Sequence, residues 1–443
     1  MDFEALSLLM REAGIVGAGG AGFPSYAKLN KSVDTLIINC AECEPLLRLH
    51  RQLMERKTKE ILEAVNVLRE ALGVKTTKIA LKKTYTKTIA SLNACLGEYP
   101  DISLALLPEV YPAGDEVILI YEATGRVVPP LKIPSSVGVV VYNTETMYNL
   151  YRALHGKKVT HKYVTVTGEV NEPHTFYAPI GSLIYGLVKR SGGLTIDNPS
   201  YLIGGPMMGR IGHDMEVVTK TTNAIIVLPS NHNVVIRKRN NINIDISRVM
   251  SSCCLCHTCT DLCPRHNLGH PIDPSKIMRA VAHMDSKNIK PFIDSYTCSS
   301  CGLCEMFSCP QGLSPRTIIA EIKKNLRNNG VKPLVYENPE VLKDRDLKRV
   351  PLKRLRGRLN LEKYNNPASI YLDPINAKEV DIPLNQHIGV PSIPVVKVGD
   401  KVKEGDLIAK YDESKLGVNI HASIDGEVIF VDNKMIKIRG IKL

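Results

Sequence analysis

Short, nearly continuous apolar runs alternate with helical spacing through the first third of the chain. Thr35 to Asn39, Lys78 to Leu81, Ile102 to Leu107 and Val137 to Tyr142 have the length and composition of strands buried on both faces. Between them Leu53, Ile61, Leu62, Val65, Leu68 and Leu72 recur on one helical face that stops at Gly73, a C-cap residue. Phe3, Leu6, Leu9, Met10 and Ala13 repeat the helical period ahead of the first strand. Residues 1–156 are therefore expected to form a parallel sheet with helices on both faces.

The pattern then changes. Over residues 157–235, strand-like Thr160 to Val170 and Ala224 to Leu228 surround one helical piece, Leu183 to Ser191, which suggests a small α+β module. Residues 236–335 hold eight clustered cysteines, with a helix expected at Pro274 to Met284 and another at Pro315 to Arg327. Residues 336–368 form a basic linker, and residues 369–443 show short alternating strands. Those strands are punctuated by Gly399-Asp400, Gly405-Asp406 and Asp425-Gly426, an all-β signature. The fold class is multidomain α/β.

Composition narrows the setting. A chain of 443 residues with 44% apolar content can build about three or four cored domains. No stretch of about 18 uncharged apolar residues offers a membrane span. Twelve cysteines without a secretory leader point to a reducing cytoplasm. The net charge of +12 gathers in Lys343 to Arg358, with eight Lys or Arg against two Asp. Such a run reads as a solvated linker or as a docking surface for an acidic protein. Nucleic acid is disfavoured, because no aromatic residue interleaves the run and no reader motif is present.

The cysteines carry the sharpest signal. Cys253, Cys256, Cys259 and Cys263, closed by Pro264, follow the C-x2-C-x2-C-x3-C-P spacing that sends three thiolates to one cubane and the fourth to a neighbouring one. Cys298, Cys301, Cys304 and Cys309, closed by Pro310, repeat it with one extra residue before the last ligand. Two 4Fe-4S clusters are expected, one held by Cys253, Cys256, Cys259 and Cys309, the other by Cys263, Cys298, Cys301 and Cys304. The extra residue should bulge without moving the first three ligands. Structural zinc fits two triplets, each followed by Cys-Pro, poorly. Cys40, Cys43, Cys95 and Cys254 read as ordinary thiols.

Gly17, Gly19 and Gly22 satisfy G-x-G-x-x-G on paper, yet the helix-period segment before them leaves no room for the strand a Rossmann turn requires. A Walker loop fails too, because no Gly-Lys-Ser/Thr follows. Four glycines can nevertheless bring backbone N–H groups close to a phosphate or a flat ring, and the loop alone reads equally as a tight turn or a ligand cradle. Three strand ends favour the cradle. Asn39, Glu42 and Glu44 follow the first strand. Tyr111, Gly114, Asp115 and Glu116 follow the third, and Asn143 and Glu145 follow the last. Open α/β sheets bind ligands at this edge.

GAGGAGFPSYAKL, NCAECEP, YPAGDE and YNTET resemble, in order, the flavin and NADH motifs of RnfC subunits and of the FMN-bearing subunit of respiratory complex I. Within that group the chain looks most similar to the cobalamin reductases of propanediol-utilisation microcompartments, and the resemblance covers nearly its whole length. GEVNEP and GGPMMGR resemble an SLBB β-grasp domain, and the final segment resembles a lipoyl-type barrel-sandwich hybrid. RnfC carries its similar segment at the other end of the chain. The resemblance implies a Rossmann-like flavin domain, an SLBB domain, an α-helical dicluster ferredoxin domain and a C-terminal barrel-sandwich hybrid.

The resemblance also implies site roles. Gly17, Gly19, Gly20, Gly22 and Lys28 would surround the FMN ribityl and phosphate, and Asn39 and Asn143 would hydrogen-bond the flavin. Glu42, Glu44 and Glu116 would line the nicotinamide side, with Phe23 stacking on NADH. Asp115 stands where the complex I pattern has Glu. Lys415 lies where lipoyl domains carry their modified lysine and is expected to be a plain surface residue. The implied activity is electron transfer from NADH through FMN and two 4Fe-4S clusters to a corrinoid, in the cytoplasm or inside a bacterial microcompartment. The implied partners are an adenosyltransferase or shell proteins. The alternatives are an RnfC-type subunit serving ferredoxin or membrane partners, a microcompartment NADH-recycling flavoprotein with another acceptor, and a ferredoxin-like relay.

Overall fold

The computed structural model describes residues 1–239, 241–283, 288–336 and 339–440. Four parallel strands, in the order Ile102–Leu107, Thr76–Lys82, Thr35–Asn39 and Val139–Asn143, form the first sheet. Alternation along each strand feeds two cores. Leu36 and Ile38 pack with helices Phe3–Glu12, Leu49–Arg56, Thr58–Leu72, Thr86–Leu96 and Thr144–Leu154. Ile37, Val139 and Val141 face the opposite way, onto Glu116–Thr124.

Two local expectations shift. The helical face from Leu53 to Leu72 is two helices, because Lys57 leaves helical geometry at φ −129° before the second begins at Thr58. The second does end at Gly73, whose φ of 67° is the left-handed C-cap. The last strand starts at Val139 and not at Val137, since Pro134–Val137 forms a 3-10 turn closed by Gly138 at φ 73°.

The middle module is a mixed six-stranded sheet backed by helix Ile184–Arg190. Its edge strand, Ser369–Pro374, falls within the stretch expected to form the C-terminal barrel and pairs instead with His174–Pro179. The barrel itself consists of two small antiparallel sheets between Glu379 and Gly440. It adheres to the N-terminal helix through Arg11. The Arg11 guanidinium lies 3.8 Å over the Tyr411 ring and donates to the Lys415 and Asp412 carbonyls at 2.9 and 3.1 Å. Lys220, fully buried, donates to Gly14 O at 2.8 Å and Asn419 O at 3.0 Å, joining three modules at one point.

Helices Ile242–Ser252, Pro274–Ala282 and Pro315–Asn328 build the cysteine module. Met284, the expected end of the second, lies outside the described residues. The basic run is not a solvated tether. Val350–Pro351 pairs antiparallel with Val110–Tyr111, and Leu352 and Leu355 are buried. Arg345, only 6% exposed, and Arg349 both donate to Glu122 on helix Glu116–Thr124. Its charge is thus partly neutralised inside the molecule, as a strap across the third strand end.

Candidate functional site

The carboxyl edge of the first sheet opens into a cavity of about 540 Å³, lined by Gly17, Gly19, Gly20, Gly22, Phe23, Lys28, Asn39, Gly114, Glu116, Asn143 and Thr146, among others. That volume lies in the range of small-molecule and cofactor sites. Parallel pairing makes Asn39 and Asn143 register partners, so the two amides sit side by side. Each is held by its neighbours. Asn39 donates to Gly114 O at 3.0 Å and accepts from Ala41 N at 3.0 Å. Asn143 caps helix Thr144–Leu154 by accepting from Glu145 N at 2.9 Å, and its Nδ2 lies 3.2 Å from His50 Nε2. Burial holds His50 near pKa 4, so a neutral ring accepts that bond.

The glycines divide by what surrounds them. A Cβ on Gly19 would meet Asn143 Nδ2 at 2.4 Å, so the protein itself requires glycine there. A Cβ on Gly20 would meet no protein atom within 4 Å. Its bareness serves space that the chain leaves open, which fits a bound group lying over the backbone N–H groups. Lys28, whose Nζ bonds Glu116 Oε1 at 2.9 Å and Val141 O at 3.2 Å, supplies the cation of the lining. These residues fit a phosphate-bearing flavin.

Two of the three expected nicotinamide-side carboxylates do not line this cavity. Glu42 is 8% exposed, accepts from His50 N at 3.2 Å, and is pushed up to about pKa 7 by burial. Glu44 accepts from Met207 N and Met208 N, both at 2.8 Å, and so ties the first domain to the GGPMMGR loop of the middle module. Burial raises its pKa, and the two amides oppose that rise. Glu116 alone of the three reaches the cavity. Asp115 caps helix Glu116–Thr124 through Val117 N and Ile118 N and receives Arg265 Nη2 at 2.9 and 3.0 Å. Tyr111 donates to Cys301 O at 2.6 Å. Sequence reasoning missed Arg265 and Met207, whose only local signals are a neighbouring Cys-Pro and a glycine-flanked turn.

The eight cysteines gather in the crossed sets. Cys253, Cys256, Cys259 and Cys309 surround one small cavity, and Cys263, Cys298, Cys301 and Cys304 surround another. The two triplets share a backbone. Leu255 and Ser300 precede the second cysteine at φ 52° and 59°, and His257 and Gly302 follow it at 67° and 83°. Left-handed residues flanking a cysteine turn N–H groups inward and form an anion-binding concavity. Ser300 N lies 3.3 Å from Cys298 Sγ, and Leu313 N lies 3.4 Å from Cys309 Sγ. The extra residue before Cys309 is absorbed in a π-helical turn, Cys304–Ser308, which leaves the first three ligands in register. Burial pushes the Cys259 and Cys301 thiols up to about 12, a cost that iron would relieve by binding thiolate. Among the described residues no three His, Cys, Asp or Glu side chains converge on a site for a single metal ion. Two triplets, each completed by a Cys-Pro of the other run, suit a pair of clusters better than structural zinc.

Comparison with known families agrees module by module. Residues 10–152 match the Nuo51 FMN-binding domain, 163–211 the SLBB domain, 252–314 a 4Fe-4S dicluster domain, and 363–440 the RnfC barrel-sandwich hybrid domain. Fold and site together define an FMN- and iron–sulfur-binding oxidoreductase. The cobalamin reductase PduS of Salmonella typhimurium is 39% identical over 97% of this chain and 95% of its own length. That of Citrobacter freundii is 38% identical over 99% and 97%. A component of the ion-translocating oxidoreductase complex of Pectobacterium atrosepticum is 33% identical over 59% of this chain and 37% of its own. The chain belongs to the family of cobalamin reductase PduS. Among the described residues no helix is long and apolar enough to cross a membrane.

Proposed function

We propose that the protein is an NADH-dependent cobalamin reductase holding one FMN and two 4Fe-4S clusters, and that it works in the cytoplasm or within a propanediol-utilisation microcompartment. When bound, FMN would accept the two electrons of a hydride and release them singly to the clusters, which no single-electron carrier can do alone. The observation that carries the reading is the loop Tyr111–Glu116, which lines the large cavity with Gly114 and Glu116 and bonds a cysteine loop through Tyr111.

The chain's own residues position and tune. Gly20 admits the flavin against backbone N–H groups, Gly17, Gly19 and Gly22 shape the loop around it, and Lys28 balances phosphate charge. Asn39 and Asn143 present amides already fixed by their neighbours, so little ordering is left for binding. Phe23 offers a face to the nicotinamide, with Glu116 at its side. Glu42 acts behind this layer, beside the His50 that holds Asn143. Glu44 anchors the middle module. No nucleophile is required.

The test is anaerobic. Iron and sulfide are reconstituted, the spectrum is recorded, and NADH and then cob(III)alamin are added. Flavin bleaching followed by corrinoid reduction supports the proposal. Bleaching without corrinoid reduction removes the acceptor, and an absence of bound flavin removes the whole reading.

A further inference from the structure

The loop Tyr111–Glu116 has two flanks. Gly114 and Glu116 face the large cavity. Tyr111 and Asp115 face the cysteine module, Tyr111 through Cys301 O and Asp115 through Arg265. Arg265 follows Cys263-Pro264, so both segments that supply the set Cys263, Cys298, Cys301 and Cys304 are tied to this loop. The ties are sheltered, with Tyr111 2% exposed and the Arg265 and Asp115 side chains 16% and 14% exposed. Met207, which Glu44 grips from the flavin side, also accepts from Arg316 on the helix beside Cys304.

The other set is placed differently. Among the described residues no hydrogen bond joins Cys253–Cys259 to residues 1–156. Cys254 and Cys256 are exposed, and Leu255 between them is 46% exposed. Electron transfer weakens steeply with distance and is favoured along covalent and hydrogen-bonded paths. The two cysteine sites are therefore not equivalent.

We propose that the Cys263/Cys298/Cys301/Cys304 site is the station next to the flavin, and that Cys253/Cys256/Cys259/Cys309 is the outlet. Tyr111 and Arg265 are positioning residues that hold the first station against the cavity. The inference rests on the reading that the cavity takes FMN and the cysteines take two clusters. Each transfer moves one electron. A flavin carrying two electrons is oxidised twice in succession, and each cluster is reduced by one electron, from the 2+ to the 1+ state.

The test uses reconstituted, full-length protein, with NADH mixed anaerobically and samples frozen for electron paramagnetic resonance. In Cys256→Ser the outlet cluster is lost, and the remaining cluster should still be reduced through the flavin as fast as in the parent. In Tyr111→Phe and Arg265→Met, cluster reduction should lag flavin bleaching several-fold more than in the parent. Only the signal that survives in Cys256→Ser should change shape or midpoint potential. The order is overturned if that surviving cluster stays oxidised while the flavin bleaches, or if Tyr111→Phe perturbs the other signal. Should Cys256→Ser fail to hold iron, cluster-selective spectra of the two variants that remove no ligand decide the matter. A parallel arm photoreduces the flavin without NADH, so failure of NADH as donor is read separately from failure of the order.

Discussion

The loops Cys253–Cys259 and Cys298–Cys304 are twins in backbone and opposites in surroundings. Both place left-handed residues before and after the second cysteine, and both border a cavity completed by a cysteine from the other run. One is open to solvent at Cys254 to Cys256. The other buries its Leu303 with Tyr111 and Met207, in a core that includes the strap residues Val350, Leu352 and Leu355. Local spacing thus sets the shape of each loop, and distant contacts set what each loop is next to.

The largest expected effect comes from removing a buried ligand. Cys304→Ser should lose the inner cluster and loosen the junction with the flavin domain, while Cys256→Ser should lose only the outer one. Iron per chain together with urea unfolding would separate them, and equal losses of stability would erase the distinction drawn above. Next comes the strap. Glu122→Ala leaves the buried Arg345 with Asp346, 71% exposed, as its remaining carboxylate, and should cost less than the roughly 3–5 kcal/mol of a fully orphaned buried charge. Chelator should then strip the inner cluster faster, with the outer rate unchanged.

Glu42→Gln is the control on the flavin side. Burial raises the folded pKa to about 7 from 4.5, so the folded state holds a proton between these values that the unfolded chain has lost. Stability should fall as pH rises from about 4.5 to 7 and level off above, by up to about 3 kcal/mol. The Glu42→Gln protein should lack that slope in denaturant titrations across the window, with iron content unaffected in either loop.

The smallest effect sharpens the twinning itself. His257 holds φ 67° where its counterpart is Gly302, so His257→Gly should relieve up to about 1 kcal/mol of left-handed strain, less what its contact with Asp261 contributes. Gly302→Ala should cost a similar amount, since no neighbour comes closer than 3.5 Å to the added methyl and only the dihedral is strained. Thermal unfolding of the two variants should move in opposite directions.

What could be read in the chain was what is local. Thr35–Asn39 and Val139–Asn143 announce themselves because burial on both faces leaves continuous apolar runs. Ile102–Leu107, expected to be buried likewise, is an edge strand with Leu106 56% exposed and is legible only from its apolar composition. The break at Lys57 was invisible, since Arg-Lys-Thr-Lys continues a helical pattern without Gly or Pro. The position of Glu44 was equally hidden, because its partners Met207 and Met208 lie in another module and offer only backbone N–H groups. The basic run gave its charge in sequence but not its fate, which depends on Val110–Tyr111 and Glu122, more than two hundred residues away.

Gly22 packs against Thr221 of the middle module and against Gln386 and His387 of the barrel. On the ribosome, the glycine loop emerges long before the barrel. The glycine loop therefore reaches its final packing only after the barrel has been made, although the cavity it lines is built from residues 17–146 alone.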